Sequence, residues 1–261
     1  MFNKFADEFH KDNIMALIQS LERQGIFLFK YRGQFPIILF VLAVFFIYST
    51  DYTNISIEIQ TYLIVFSILL SLLGFLIRFY TVGTTPKQTS GRNTKHQVAA
   101  VLNSTGMYSI LRHPLYLGNY LIWIGISVAT FNFTFIVILS LIFWLYYERI
   151  IFAEERFLER KFGNDYLKWS NNLPAFFPSL SNFKKSSIPF SIITVLRREY
   201  AGVLATVISF NFIELCRNYF TSYEFKISSL SLKVLIFTTI LTLTLKSLKY
   251  YTNFLDQKGR S

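Results

Sequence analysis

The stretch RHPLYLGNYLIWIGISVATFNFTFIVILSLIFWLYY, residues 112–147, contains two apolar runs separated by a short polar tip. The runs are Leu115–Thr130 and Phe133–Tyr147, and Asn132 lies in the tip between them. Each run is close to the ~20 residues that a helix needs to cross a bilayer, allowing for tilt. The stretch therefore predicts a hairpin of two membrane helices, with polar residues where the hairpin begins and ends.

Four further apolar runs extend this pattern along the chain. The composition agrees with it, because 52% of the 261 residues are hydrophobic and the 29 Phe and 16 Tyr exceed what a soluble core of this length needs. We therefore predict an all-α fold, an integral membrane helical bundle of about six transmembrane helices. The four further runs are Phe35–Tyr48, Ile59–Tyr80, Tyr200–Leu215 and Leu230–Leu248.

The N-terminal segment has a different character. Residues 14–29 place Ile14, Leu17, Ile18 and Leu21 at helical spacing, which predicts a helix lying at the membrane surface or a short cytosolic helix packed on the protein. No cleavable signal peptide is expected, since charged residues at 1–12 are not followed by an apolar region. We predict a cytosolic or interfacial segment at 1–32, a membrane core at 33–189 and a two-span appendage at 190–261.

Charge and metal-binding residues limit the possible functions. The single cysteine, Cys216, excludes an intrachain disulfide, and with only three histidines we expect no metal site. The net charge of +11 lies beside the membrane runs without a compact basic and aromatic patch. Attraction to anionic lipid headgroups explains it better than nucleic acid, which we do not expect as a partner.

The distribution of Lys and Arg between the runs predicts the topology. The loop at 51–56 and the tip at 129–134 contain no Lys or Arg, whereas the N-terminal segment and the stretch at 149–198 are rich in them. Because cytosolic loops carry the excess of basic residues, both termini and both polar motifs described below are expected in the cytosol. In a bacterium this membrane would be the inner membrane.

The first polar motif is Arg112-His113-Pro114, followed by Tyr116 and Gly118. Proline suits the first position of a helix, where free N–H groups and the helix dipole favour an anion. Arg112 can hold a carboxylate or phosphate with two parallel hydrogen bonds, and Gly118 permits close approach of a helix or ligand. The alternative is that the Arg-His pair only anchors the helix at the membrane interface.

The second polar motif follows the hairpin. Glu154, Leu158 and Phe162 recur at i, i+4 and i+8 on one helix face, and Glu155 is beside them. Two adjacent carboxylates suit an ammonium, an amine or ribose hydroxyls, although a solvated charged face would give the same pattern. Gly163 is expected to end the helix. The segment from Pro174 to Pro178 is expected to be extended and could lie across the site.

Residues 94–178 resemble the isoprenylcysteine carboxyl methyltransferase and phospholipid methyltransferase superfamily of membrane enzymes. The matching residues form the strings Thr94-Lys95-His96-Gln97-Val98 and Thr105-Gly106-Met107-Tyr108, the two polar motifs, then Phe162-Gly163-x-x-Tyr166 and Pro174…Pro178. The resemblance implies a small helical bundle that binds S-adenosylmethionine at its cytosolic face and is reached by a lipid from the bilayer.

The resemblance also implies which residues form the site. Arg112, His113 and Tyr116 are the predicted catalytic residues, with Arg112 and His113 suited to the cofactor carboxylate. Phe162 and Tyr166 could enclose the adenine. His96 could instead be an ordinary solvated loop histidine. The predicted cofactor-binding residues are His96, Tyr108, Arg112, His113, Tyr116, Glu154, Glu155, Leu158, Phe162 and Tyr166.

The methyl acceptor is less well defined. Carboxyl methyltransferases of this superfamily usually have Arg-Val-Pro where this chain has Asn172-Leu173-Pro174. We therefore expect a membrane lipid, with a headgroup amine or phosphate favoured over a prenylcysteine carboxylate. Two other functions remain open: an NADPH-dependent reductase of the sterol type, disfavoured by Leu115 and Phe162, and a non-enzymatic lipid-binding protein. No Rossmann glycine motif, P-loop or serine hydrolase motif is present.

Overall fold

The computed structural model describes residues 2–86, 89, 99–257, 259 and 260, with side chains at 16–34 and from 37 onward within these ranges. Apart from one β-bridge between Gly106 and Lys184 and two short 3-10 turns, the regular structure in these residues is α-helical. This confirms the all-α prediction. The helices are α1 Phe2–Lys30, α2 Phe35–Tyr48, α3 Ile57–Gly83, α4 Pro114–Val128, α5 Phe133–Phe162, α6 Asn164–Ser170, α7 Ile192–Ser222 and α8 Ser229–Tyr251.

Four of the described helices, α3, α5, α7 and α8, are long and apolar enough to cross a membrane. The chain is thus an integral membrane protein. The other two predicted spans form helices α2 and α4, of 14 and 15 residues. At 1.5 Å per residue each is about 21–23 Å long, shorter than a hydrocarbon core of about 30 Å.

Helix ends follow local sequence signals. Each of the four helices α3, α5, α7 and α8 begins with a side chain that accepts a hydrogen bond from the backbone nitrogen three residues later, which satisfies one of the free N–H groups of a first turn. Asn132, the predicted hairpin tip, caps α5 in this way, its Oδ1 lying 2.8 Å from the nitrogen of Phe135. The other capping residues are Ser56, Ser191 and Ser228.

Helices α3 and α4 pack antiparallel with small residues between them. A Cβ added to Gly74 would lie 2.6 Å from the carbonyl oxygen of Gly118, and one added to Gly125 would lie 2.2 Å from Ser71 Oγ. Such separations are shorter than any normal contact, so these positions admit only glycine. The predicted close approach at Gly118 is therefore an approach of helix α3, as in other membrane bundles with small residues at helix contacts.

Helix α1 runs antiparallel along the C-terminal half of α5. Tyr146 donates a hydrogen bond to the carbonyl of Leu28 over 2.8 Å, and Gly25 lies directly against the backbone of Arg149. The two helices thus form a pair. Helix α1 therefore packs on the protein, and its position relative to the membrane surface stays a prediction.

The C-terminal appendage packs closely on the core. Helix α7 contacts α2, α3 and α4, and α8 packs on α7. The chain after α8 folds back, where Gln257 accepts hydrogen bonds from the Ser191 and Thr194 hydroxyls at the start of α7. Leu255 is buried in the same place. Helix α7 therefore borders the same interior as the helices that carry the two polar motifs.

Candidate functional site

The first polar motif forms the entrance to α4. Pro114 is the first helical residue, as predicted, and His113 is the residue before it. The backbone nitrogens of Arg112 and His113 donate to the carbonyls of Pro174 and Ala175 over 3.0 and 3.2 Å. The segment from Pro174 to Pro178 thus lies across the motif, as expected, and fixes the backbone in front of α4.

Arg112, His113 and Glu155 form a charged cluster. His113 Nε2 lies 2.8 Å from Glu155 Oε1, and because a carboxylate can only accept, that nitrogen carries the proton in this contact. Arg112 Nε also lies 2.8 Å from the same oxygen, as a charge contact without hydrogen-bond alignment. Arg112 Nη1 donates to the carbonyls of Ser170 and Leu173. The two motifs are therefore joined directly.

Glu154 faces the other side of the His113 ring. Its Oε2 lies 3.8 Å from His113 Nδ1, too far for a hydrogen bond. Tyr116 stacks on His113 at a ring distance of 5.7 Å and hydrogen bonds to Glu154. Tyr116 also packs against Tyr147, with ring centroids 4.8 Å apart. The result is a row of three rings, His113, Tyr116 and Tyr147, with the Glu154 carboxylate beside it.

These residues border a cavity of about 350 Å³ between α3, α4, α5 and α7. Its described lining contains four arginines and two glutamates, and most of the other lining residues are aromatic or apolar. A concave site with a few convergent polar groups is the usual form of a small-molecule site. The charged lining residues are Arg32, Arg78, Arg112, Arg198, Glu154 and Glu199.

Most of the predicted site residues meet at this cavity. Tyr108, Arg112, His113, Tyr116, Glu154 and Leu158 line it. Glu155 lies behind Arg112 and His113 rather than in the lining. His96 falls outside the described residues.

Phe162 and Tyr166 lie away from the cavity lining. Helix α5 continues without interruption to Phe162 and ends at Gly163, whose φ of +54° is the conformation that favours glycine. Tyr166 follows in α6, where it is buried and hydrogen bonds to Glu155. Burial, with Glu155 nearby, raises the pKa of Tyr166, so its hydroxyl stays protonated and donates to that carboxylate. The geometry gives Tyr166 a supporting position rather than a place beside an adenine.

A second charged cluster, which the sequence motifs did not include, borders the same cavity. Arg78 of α3 donates from Nε and Nη2 to the two carboxylate oxygens of Glu199 in α7, over 2.8 and 2.9 Å. Arg78 Nη1 donates to Asn119 Oδ1, and Asn119 Nδ2 donates to the Tyr147 hydroxyl over 3.3 Å. This Arg78–Glu199 cluster joins α3, α4, α5 and α7.

Two signals point to Arg78, one member of this second cluster. Arg78 lies near the end of the apolar run Ile59–Tyr80, and ionisable residues in membrane helices are functional candidates by default. Gly118 is the other signal, since a Cβ there would lie 2.6 Å from Arg78 Cγ. The glycine of the first motif therefore makes room for the Arg78 side chain as well as for α3. Nothing near Arg78 in sequence points to Glu199.

Asn172, which stands where an arginine is usual in carboxyl methyltransferases, is exposed. Its Nδ2 donates to the carbonyl of Lys168 over 2.9 Å, at the end of α6, and the residue does not line the cavity. The expectation of a lipid acceptor other than a prenylcysteine carboxylate, which rests on this position, stays a prediction.

Comparison with known proteins shows a similarity to membrane methyltransferases. Residues 62–165 match the family model for phospholipid methyltransferases. This region runs from within α3 through α4 and α5 to α6, and so it carries both polar motifs and Arg78. No solved structure gives a significant match.

Three curated relatives match between 33% and 49% of this chain. The nickel-cobalt-cadmium resistance protein NccN of Alcaligenes xylosoxydans xylosoxydans is 34% identical over 132 residues, 49% of this chain and 59% of that protein. The cobalt-zinc-cadmium resistance protein CzcN of Cupriavidus metallidurans is 37% identical over 86 residues, 33% of this chain and 39% of that protein. The protein-S-isoprenylcysteine O-methyltransferase of Schizosaccharomyces pombe is 28% identical over 114 residues, 41% of this chain and 48% of that protein.

The alignments thus span between 39% and 59% of the lengths of these three relatives. Further matches are protein-S-isoprenylcysteine O-methyltransferases of Saccharomyces cerevisiae, Arabidopsis thaliana and Xenopus laevis. Over residues 62–165 the chain is thus similar to phospholipid methyltransferases, and over part of its length it is similar to isoprenylcysteine O-methyltransferases.

Proposed function

We propose that the protein is an S-adenosylmethionine-dependent methyltransferase that acts on a lipid or lipidated substrate at the cytosolic face of a membrane. The observation that carries this proposal is the cavity between α3, α4, α5 and α7, where the two polar motifs meet within the region that matches phospholipid methyltransferases.

The residues at the cavity fit the cofactor. S-adenosylmethionine, when bound, supplies a methyl group on a positively charged sulfur. Its amino acid part carries a carboxylate and an ammonium, and the chain offers the Arg112 guanidinium and the His113 ring for the first and the Glu154 carboxylate for the second. Arg112 keeps Nη2 without a hydrogen bond to the described residues, so it can still bind a carboxylate oxygen. Tyr108 and Leu158 complete this side of the cavity.

The supporting residues hold these groups in place. Glu155 binds both Arg112 and His113, Tyr166 donates to Glu155, and the Pro174–Pro178 segment fixes the backbone. Transfer of a methyl group is an in-line displacement, which depends on alignment of donor and acceptor and on exclusion of water. Because several residues position the charged groups of this site, the site is suited to aligning the donor and the acceptor.

The acceptor determines whether a base is needed. A carboxylate or phosphate is already anionic and needs none, whereas an ammonium must first lose a proton. A carboxylate acceptor is the second candidate, because relatives named as protein-S-isoprenylcysteine O-methyltransferases match part of this chain.

Binding measurements test the proposal. Calorimetry on the purified protein should show binding of S-adenosylmethionine and S-adenosylhomocysteine and no binding of NADPH. Binding of NADPH alone would support an NADPH-dependent reductase. Binding of none of the three ligands would support a non-enzymatic lipid-binding protein. Incubating membranes with methyl-labelled S-adenosylmethionine should then place the label in extracted lipid, or in a base-labile ester if the acceptor is a carboxylate.

We further propose that α2 and α4 also cross the membrane, giving six spans with both termini and the cavity cytosolic. The hairpin tip supports this arrangement, since Asn132 donates to Thr50 Oγ1 at the end of α2 over 2.8 Å and Arg217 donates to the carbonyl of Ala129. These loops therefore lie at one end of the bundle. After replacement of Cys216, an impermeant reagent should label a cysteine at 132 but not at 184 in intact cells. Labelling at 184 would reverse the topology.

A further inference from the structure

The Arg78–Glu199 cluster lies deeper in the bundle than the cofactor residues. Tyr116 is in the first turn of α4, and Asn119, which binds Arg78, is one turn further along the same helix. The rings of Tyr116 and Tyr147 lie between the two charged clusters. If the first cluster holds the cofactor, the second faces the part of the cavity that a lipid would reach.

Arg78 retains donors for a ligand. Three of its five N–H groups bind Glu199 and Asn119, which leaves one on Nη1 and one on Nη2 without a described partner. The side chain is 19% exposed and lines the cavity. A guanidinium with free N–H groups in a partly dehydrated site binds a carboxylate or phosphate oxygen strongly.

Glu199 limits this attraction. It neutralises Arg78 through both carboxylate oxygens, and its own side chain is 5% exposed. A buried charge of this kind costs free energy unless it is paired, so Glu199 fixes the orientation of Arg78 and also opposes an incoming anion. It comes from α7, which lies outside the region that matches the methyltransferase family.

We propose that Glu199, supplied by the C-terminal appendage, is a specificity-determining residue of the acceptor subsite. It sets the orientation and the effective charge of Arg78, and Arg78 binds an anionic oxygen of the acceptor lipid, either phosphate or carboxylate. This inference rests on the proposed function for the identity of the acceptor. The alternative is that the Arg78–Glu199 pair is a structural clamp, which only holds α3, α4 and α7 together.

Matched probes separate these two roles. N-acetyl-S-farnesylcysteine and its methyl ester differ in one carboxylate, and dioctanoyl phosphatidic acid and dioctanoylglycerol differ in one phosphate. The affinity of the full-length protein for each is measured in detergent with S-adenosylhomocysteine present. We expect tighter binding of the anionic member of at least one pair, and the pair that shows it identifies the anion.

Two variants complete the test. Glu199→Gln should raise the preference for the anionic probe by about tenfold, since Arg78 is no longer neutralised. The double variant R78Q/E199Q, which leaves no unpaired buried charge, should abolish the preference. An unchanged preference in both variants, or a lower one in Glu199→Gln, would establish the clamp and overturn the proposal.

The affinity for S-adenosylhomocysteine serves as the control. It should be the same in the wild type and both variants, because Arg112, His113 and Glu154 are unchanged. If the wild type does not bind S-adenosylhomocysteine, the proposed function fails, whatever the probes show. If the wild type binds S-adenosylhomocysteine but does not prefer an anionic probe, only the proposal of the acceptor subsite is contradicted.

Discussion

Two arginine–glutamate pairs border one cavity, and their surroundings differ. In the pair Arg112–Glu155 the side chains are 21% and 25% exposed, and Glu155 also binds His113 and Tyr166. In the pair Arg78–Glu199 the exposures are 19% and 5%, and Arg78 contacts both oxygens of the carboxylate. The first carboxylate thus keeps partners when its arginine is removed. The second loses the partner of both oxygens.

Because of this difference, we expect substitutions of the two arginines to affect different properties, ligand binding for one and stability for the other. A carboxylate with several partners in a partly hydrated place can lose one of them at modest cost. A buried carboxylate without its counter-ion must be rehydrated, protonated or accommodated by a change in packing. Substitutions at Arg112 should therefore act mainly on ligand binding, and substitutions at Arg78 also on the fold.

The largest expected effect is on stability at Arg78. Arg78→Gln should lower the free energy of unfolding by about 3 kcal/mol or more, because it strands Glu199 between helices. R78Q/E199Q should recover most of that loss, since neither side chain is then charged. Thermal unfolding of the detergent-solubilised protein measures both. Arg112→Gln is the matched comparison, and a loss as large as that of Arg78→Gln would remove the distinction between the pairs.

The next effect is on cofactor affinity at Arg112. Arg112→Ala should weaken binding of S-adenosylhomocysteine tenfold to a hundredfold, about 1.5–3 kcal/mol, through loss of a charge-assisted contact. Calorimetry on folded protein measures the change. Arg156→Ala is the control, since Arg156 pairs with Glu159 over 2.7 Å on the same helix as Glu155 but does not line the cavity. Equal affinities in both variants would favour the alternative interpretation, in which Arg112 and His113 only anchor α4 at the membrane interface.

Gly118 links the two clusters and gives a third test. Gly118→Ala should cost about 1–3 kcal/mol, because the added Cβ would lie 2.6 Å from Arg78 Cγ and 2.8 Å from the Gly74 carbonyl oxygen. Gly202→Ala is the control on α7, where the nearest atom would be 3.9 Å away. That variant should be as stable as the wild type or more so, by up to about 1 kcal/mol. Thermal unfolding distinguishes them, and equal stability would mean that the α3–α4 contact adjusts freely.

The two pairs also show what the sequence could and could not predict. The first cluster was predictable because its residues belong to short motifs with local rules: Pro114 begins a helix, and Gly163 ends one. The face shared by Glu154 and Leu158 follows from helical spacing, and both line the cavity. Phe162, on the same face, lies beyond it because the helix extends past the end of the site.

The second cluster was not predictable because its partners are 121 residues apart. The predicted span Tyr200–Leu215 left out Arg197, Arg198 and Glu199 as too polar for a membrane helix, whereas α7 begins at Ile192. A charged residue can occupy a membrane helix when a partner on another helix binds it. Whether such a partner exists depends on the tertiary structure, which the hydropathy along the chain does not reveal.

A third arginine–glutamate pair is expected to contribute least of the three to the stability of the protein. Arg160 of α5 binds Glu22 of α1, and the two side chains are 53% and 17% exposed. The Arg160 guanidinium holds the pKa of Glu22 below its ordinary value of 4.5, so the pair stabilises the protein above that pH and is lost as the pH falls through the lower value. Glu22→Gln should therefore cost less than about 1 kcal/mol at pH 7, because solvent screens the pair. Thermal unfolding should show this small loss at pH 7 and none once the pH is low enough to protonate Glu22 in the folded protein. A loss that persists at low pH would mean that Glu22 stabilises the α1–α5 contact through packing, and exposure would then not explain the order of the three pairs.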